Sequence, residues 1–95
     1  MPVMIIAQLK FTDEARYRRY QNAFAPVFAK FNGRLVAAEE EAQVLEGDWP
    51  NDKVVILEFP DRDSAMTFQT SPEYQEIASD RVGGADATVL MVRSY

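Results

Sequence analysis

The chain has no cysteine and no histidine. The first absence excludes disulfides, thiolate nucleophiles and sulfur-ligated metals, and it fits a reducing compartment. The second removes the commonest metal ligand and the usual general base near neutral pH. Positive charge is scarce as well: 10 lysines and arginines stand against 15 aspartates and glutamates, a net charge of -5. That balance disfavours a surface for nucleic-acid phosphates. No apolar run approaches the roughly 20 residues of a membrane helix, and Met1 to Ala7 lacks the basic lead and long apolar core of a secretory signal. The expectation is a cytoplasmic protein with no membrane and no nucleic-acid partner. Phosphate-cradling glycine motifs, nucleotide fingerprints and catalytic triads are missing too, so no cofactor is expected.

What is present describes one globular domain over residues 1–95, with 47% hydrophobic and 26% charged residues. A domain of this size buries only about 60 to 65% of its unfolded surface, so self-association would help it. Val3 to Phe11 alternates as a strand, with Val3, Ile5, Ala7, Leu9 and Phe11 on one face. The period then changes to three and four residues at Tyr17, Tyr20, Phe24, Val27 or Phe28, and Phe31, the spacing of an amphipathic helix. Thr12 or Asp13 caps it, and Glu14 is spaced to pair with Arg18. Pro26 predicts a bend or short break near Ala23 to Pro26; the apolar spacing continues through Phe31 and favours one bent helix over two, and Asn32-Gly33 predicts a left-handed end.

Arg34 to Glu39 reads as the second strand, with Ala42 to Glu46 completing a pair after a bend at Glu39-Glu40-Glu41. Lys53 to Phe59 is the third, and its consecutive Val54-Val55-Ile56-Leu57 predicts burial on both faces. Asp61 caps a helix over about Arg62 to Gln69, and Ser71-Pro72 starts another that Gly83-Gly84 interrupts. Ala87 to Arg93 supplies the last strand. This order predicts an α+β, ferredoxin-like four-stranded antiparallel sheet with helices on one face. A strand apolar on both faces then needs cover on the other side. Either a second copy of the chain supplies it, as a homodimer, or loops of the same chain do.

Candidate chemistry gathers around Glu46-Gly47-Asp48-Trp49-Pro50. Gly47 supplies a sharp turn, Asp48 accepts hydrogen bonds from backbone or ligand, and Trp49 offers an apolar plate with one donor. Each also has a structural reading, with Asp48 organising the loop and Trp49 shielding core or dimer seam. Tyr17 and Tyr20 share a helical face and, with Tyr74, supply either core packing or polar contacts to a ligand. Asp48 and Glu58 are the weak acid-base candidates; Glu58 either shuttles a proton or pairs with Arg81, Arg34 or a partner's arginine. Arg81 either clamps an anion or complements a helix end. Glu39, Glu40 and Glu41 alternate in direction along a strand, so they cannot all converge on a cation, and no metal site is expected.

Leu45-Glu46-Gly47-Asp48-Trp49, Val55-Ile56-Leu57-Glu58-Phe59-Pro60 and Ser71-Pro72-Glu73-Tyr74-Gln75 together resemble the family called domain of unknown function 1330. The resemblance covers nearly the whole chain. It implies membership of the dimeric alpha-beta barrel superfamily, in which ferredoxin-like subunits pair with their sheets facing, and it carries no agreed activity. The same likeness singles out Glu46, Gly47, Asp48, Trp49, Glu58, Ser71, Pro72, Tyr74, Gln75 and Arg81. Lys53 stands where an arginine is common, and Ala38-Glu39-Glu40 where a glycine pair is usual. Three functions remain open: binding of a small, partly apolar molecule between helix and sheet, a structural or interaction homodimer, and a cofactor-free monooxygenase-like or isomerase-like enzyme. In the binding reading, Trp49 and Tyr17 touch the ligand.

Overall fold

The computed structural model describes residues 1–95. Strand β1 (Val3–Phe11) turns Val3, Ile5 and Leu9 into the core, as its alternation predicts. Helix α1 (Glu14–Phe28) is capped by Asp13, whose carboxylate accepts the Arg16 amide at 3.2 Å. Glu14 lies 3.7 Å from Arg18, one turn on. Pro26 does not break the helix, and α1 is the single element favoured from the sequence. Pro26 sits in the last turn, where it removes a single amide, and Phe24 and Phe28 stack across this stretch with centroids 5.0 Å apart.

The helix stops at Phe28, and two tighter turns, Lys30 N to Val27 O and Phe31 N to Phe28 O, carry Phe31 onto the core. Asn32 and Gly33 do not take the left-handed conformation expected of them. Gly33 is needed for space instead: a Cβ there would stand 2.6 Å from Phe59 Cε1. Strand β2 (Arg34–Glu39) follows, but 42–46 forms no strand. Val44 and Leu45 are exposed in this loop with no strand to pair with. At its far end Asp52 pins it to β1, giving its amide to Leu9 O at 2.7 Å and accepting the Phe11 amide at 2.8 Å.

Strand β3 (Lys53–Phe59) leads through the Asp61 cap into α2 (Arg62–Gln69). Ser71 then caps α3 (Pro72–Gly84), with Pro72 in its first turn. Gly83 and Gly84 end this helix rather than interrupting it, and β4 (Ala85–Arg93) begins at once. Phe68 anchors the core, with ring centroids 5.5 Å from Phe59, 5.4 Å from Phe28 and 4.4 Å from Tyr74.

All neighbouring strands are antiparallel, in the order β2-β3-β1-β4, and the helices cover one face. The ferredoxin-like expectation therefore holds, and the alpha-beta barrel does not. β2 and β4 are two unpaired edges, so the sheet is open; closure would require them to meet, and β3 and β1 lie between them. No helix is long and apolar enough to cross a membrane.

Candidate ligand-binding cavity

Helix α1 packs mainly on α3, while α2 makes the close approach to β1 and β3. α1 thus stands off the strands beneath it and leaves a cavity of about 240 Å³. The β1 and β3 residues of the covered face, Ile5, Ala7, Leu9, Val55 and Leu57, form its floor, and Phe24 and Phe68 contribute from the helices. Of its 18 lining residues, 14 are hydrophobic, so an occupant would exchange water for apolar contact over most of its surface. Leu35 and Ala38 on β2 and Gln21 and Ala25 on α1 also line it and are themselves exposed, so the cavity reaches solvent along the β2 side.

Its polar groups are few and specific. Helical spacing aims Tyr17 and Tyr20 inward from α1, and Tyr74 and Arg81 lie two turns apart on α3. The Tyr20 and Tyr74 hydroxyls are 3.1 Å apart and share one hydrogen bond. Burial pushes the Tyr17 phenol up to about 12, and burial raises Tyr20 further; both are neutral at physiological pH and act as hydrogen-bonding groups rather than bases.

Lys53 begins β3 on the same face as Val55 and Leu57 and is buried. Burial pulls its ammonium below the ordinary lysine value, opposed by Glu40, whose Oε2 lies 3.5 Å from Nζ. Glu40 is also gripped by both outer nitrogens of Arg18, at 2.6 and 2.7 Å. That bidentate bond holds its carboxyl down at about 2. The Lys53 ammonium lies 5.0 Å from the Tyr17 ring centroid, so a cation, a phenol and the Arg18–Glu40 pair are joined at one end of the cavity.

The residues named from sequence divide between two places. Tyr17, Tyr20, Tyr74 and Arg81 all line the cavity. Trp49 does not: its indole donates to Gln8 Oε1 at 3.1 Å, and Gln8 lies on the uncovered face by the alternation of β1. Trp49 and Tyr17 therefore meet opposite faces of the sheet. Glu58 also faces away from the helices. It accepts a hydrogen bond from Arg34 at 3.0 Å, which selects Arg34 among its three expected partners. Glu46, Gly47 and Asp48 are exposed, and Gly47 alone in the chain has positive φ, 80°, as a sharp turn requires. Ser71 and Pro72 serve the α3 cap, the serine oxygen accepting the Tyr74 amide at 3.2 Å.

Sequence reasoning missed the Glu40 junction. The sequence spacing pairs Arg18 with Glu14 and places Glu40 only in an acidic bend. The one available signal was Lys53, a cation that alternation places beside Val55 and Leu57 on a strand's apolar face.

An open ferredoxin-like sheet with a helix-roofed, largely apolar cavity is the class of protein these features define. The model of the family described as domain of unknown function, DUF1330, matches residues 2–95, and the chain belongs to that family. The barrel architecture attached to the family resemblance is what falls, on the two open edges of the sheet. No curated protein matches the chain. Among solved structures, it is similar to RPA0582 of Rhodopseudomonas palustris, a protein of unknown function, at 19% identity and TM-score 0.81, covering 99% of this chain and 82% of that one. It is similar to SnoaB, a cofactor-independent oxygenase of Streptomyces nogalater, at 15% identity and TM-score 0.74, over 99% and 93% of the two chains. A dimeric ferredoxin-like protein of unknown function from Jannaschia sp. aligns at 11% identity and TM-score 0.76, over 99% and 100%. At these identities the likenesses establish the fold alone.

Proposed function

We propose that this protein binds a small, partly apolar molecule in the cavity between α1 and the sheet, and that it does so as a homodimer. The observation that carries the binding reading is the cavity itself, about 240 Å³ with 14 hydrophobic residues among 18, on the face the helices already cover. A dimer serving only as a scaffold would gain from filling that space, because unfilled core volume costs packing energy. Binding is favoured over catalysis by where the acids lie. No carboxylate lines the cavity, and the two acid-base candidates, Asp48 and Glu58, are placed in the exposed turn and on the opposite face. The oxygenase activity of SnoaB is therefore not the preferred reading for this chain.

The homodimer rests on the uncovered face. Met4, Ile6, Ile56, Leu90 and Val92 share it by strand register, and Leu90 and Val92 remain 48% and 38% exposed. A second copy of the same face would cover them with matching chemistry, and the Jannaschia protein is described as dimeric.

Titration with the neutral fluorophore N-phenyl-1-naphthylamine tests the binding reading. Wild type is expected to bind it saturably, and Ala38→Phe, which projects a ring into the cavity from the exposed β2 edge, is expected to weaken binding about tenfold or more. Unchanged affinity in Ala38→Phe, or no saturable binding by wild type, would defeat the reading. Sedimentation equilibrium tests the assembly, and a monomer at micromolar concentration would defeat that part alone.

A further inference from the structure

Arg81 is the cavity-lining cation for which the fold provides no partner. Its neighbour Asp80 is already engaged, at 2.9 Å by Arg16 and 3.4 Å by Arg19. Lys53, the other cation in the cavity lining, has Glu40. Arg81 enters no ion pair, and its Nε is enclosed with no hydrogen-bond partner, alone in that respect among the buried side-chain nitrogens and oxygens of the chain. It stands in the last turn of α3, where the helix dipole favours positive charge, but a dipole does not supply an acceptor to an enclosed N–H. Leaving such a donor unmet is costly, and a guanidinium cannot escape the cost by losing its proton.

The groups beside it make the same demand. Arg81 acts electrostatically on both the Tyr17 and Tyr20 phenols, yet burial outweighs it and keeps both neutral, so neither supplies the missing negative charge. In the Tyr20–Tyr74 pair one hydroxyl donates to the other, and the accepting hydroxyl retains its own proton for a further bond. Arg81, whose Nε is enclosed without a partner, and the Tyr20–Tyr74 hydroxyl pair thus belong to the lining of one cavity, and no carboxylate lines it.

We propose that the ligand is an apolar monocarboxylate whose head is held by Arg81 and the spare hydroxyl of the Tyr20–Tyr74 pair, with its body along Phe24, Val55 and Leu57. A carboxylate offers two oxygens to two donors, and a guanidinium beside it supplies the opposite charge. The proposal rests on the binding reading above and adds the charge and chemistry of the ligand's head.

The test is displacement of N-phenyl-1-naphthylamine from the protein by octanoate and, in parallel, by 1-octanol, which has the same chain length and no charge. Wild type is expected to prefer octanoate by about tenfold or more, as charge-assisted hydrogen bonds warrant. The ratio is read within each protein, so a general change in the cavity cancels. In Arg81→Gln it is expected to fall to about one, and in Arg81→Lys, which keeps the charge without the planar fork, to an intermediate value. Equal displacement of the probe from wild type by the two compounds overturns the proposal, as does displacement by neither. A preference that survives in Arg81→Gln also overturns it and places the head elsewhere. In these cases the probe still binds, so the cavity reading stands; failure of wild type to bind the probe overturns both.

Discussion

The two faces of the sheet spend their chemistry in opposite ways. On the uncovered face the polar groups are engaged with one another, Trp49 with Gln8 and Glu58 with Arg34, while the apolar side chains of Leu90 and Val92 stay open. On the covered face Val3, Ile5, Leu9, Leu57 and Phe59 are buried and only edge side chains such as Leu35 and Val89 stay open, while Arg81 Nε is left without a partner and the Tyr20–Tyr74 pair has a proton to give. Satisfied polar groups around open apolar surface suit contact with another protein surface. Unsatisfied polar groups in an enclosed apolar space suit a small ligand. Aromatic residues alone would not have separated the two regions, since each has them.

The comparison can be attacked through stability first. Phe68→Ala, in the centre of the covered side, is expected to cost about 3–5 kcal/mol in urea denaturation. Leu90→Ala on the other face is expected to cost less than about 1 kcal/mol in chains dilute enough to be monomeric. Similar losses at the two positions would mean that the faces do not differ as described.

A smaller effect is expected at the Glu40 junction. Glu40→Gln leaves the buried Lys53 ammonium without its counter-charge, for a loss on the order of 1–2 kcal/mol at neutral pH. The Glu40 carboxyl is depressed in the folded protein from 4.5 to about 2, first by the Arg18 hydrogen bond. Its stabilisation is therefore complete above about pH 4.5 and is lost as the pH falls towards 2. Denaturation profiles of wild type and Glu40→Gln should accordingly converge across that window. A gap that holds steady to pH 2 would remove Glu40 as the cause.

Tyr20→Phe deletes one hydroxyl of the buried pair and is expected to cost about 1 kcal/mol in the same assay. Smallest of all should be the effect of Trp49→Ala on the cavity. Probe affinity is expected to stay within about twofold of wild type, although self-association weakens. A large loss of probe binding in Trp49→Ala would place the tryptophan at the cavity after all.

Periodicity carried most of the fold. The strand β1, the apolar run of β3 and the caps at Asp61 and Ser71 were legible because each depends on neighbours close in sequence. Gly33 misled because its place is decided by the rings of Phe59 and Phe28, distant in sequence or across a turn, and not by local preference. The tyrosines could be aimed from the sequence because helical spacing gives a facing direction, whereas Arg81 was singled out by its charge and by the family likeness; all four stand in the cavity lining. Trp49 was drawn to the cavity by its proximity to β3 in sequence, whereas a loop pinned at Asp52 delivers it to the far side. Glu40 was missed because its partners, Arg18 and Lys53, come from α1 and β3, and only the folded chain brings them together.

A crystal structure of the protein with N-phenyl-1-naphthylamine bound tests the central claim most directly. The division between the faces predicts the probe under α1, in contact with Phe24, Val55 and Leu57, with the Trp49–Gln8 hydrogen bond intact. A probe seated on the uncovered face against Ile56 and Leu90, with the space under α1 unchanged, would contradict it.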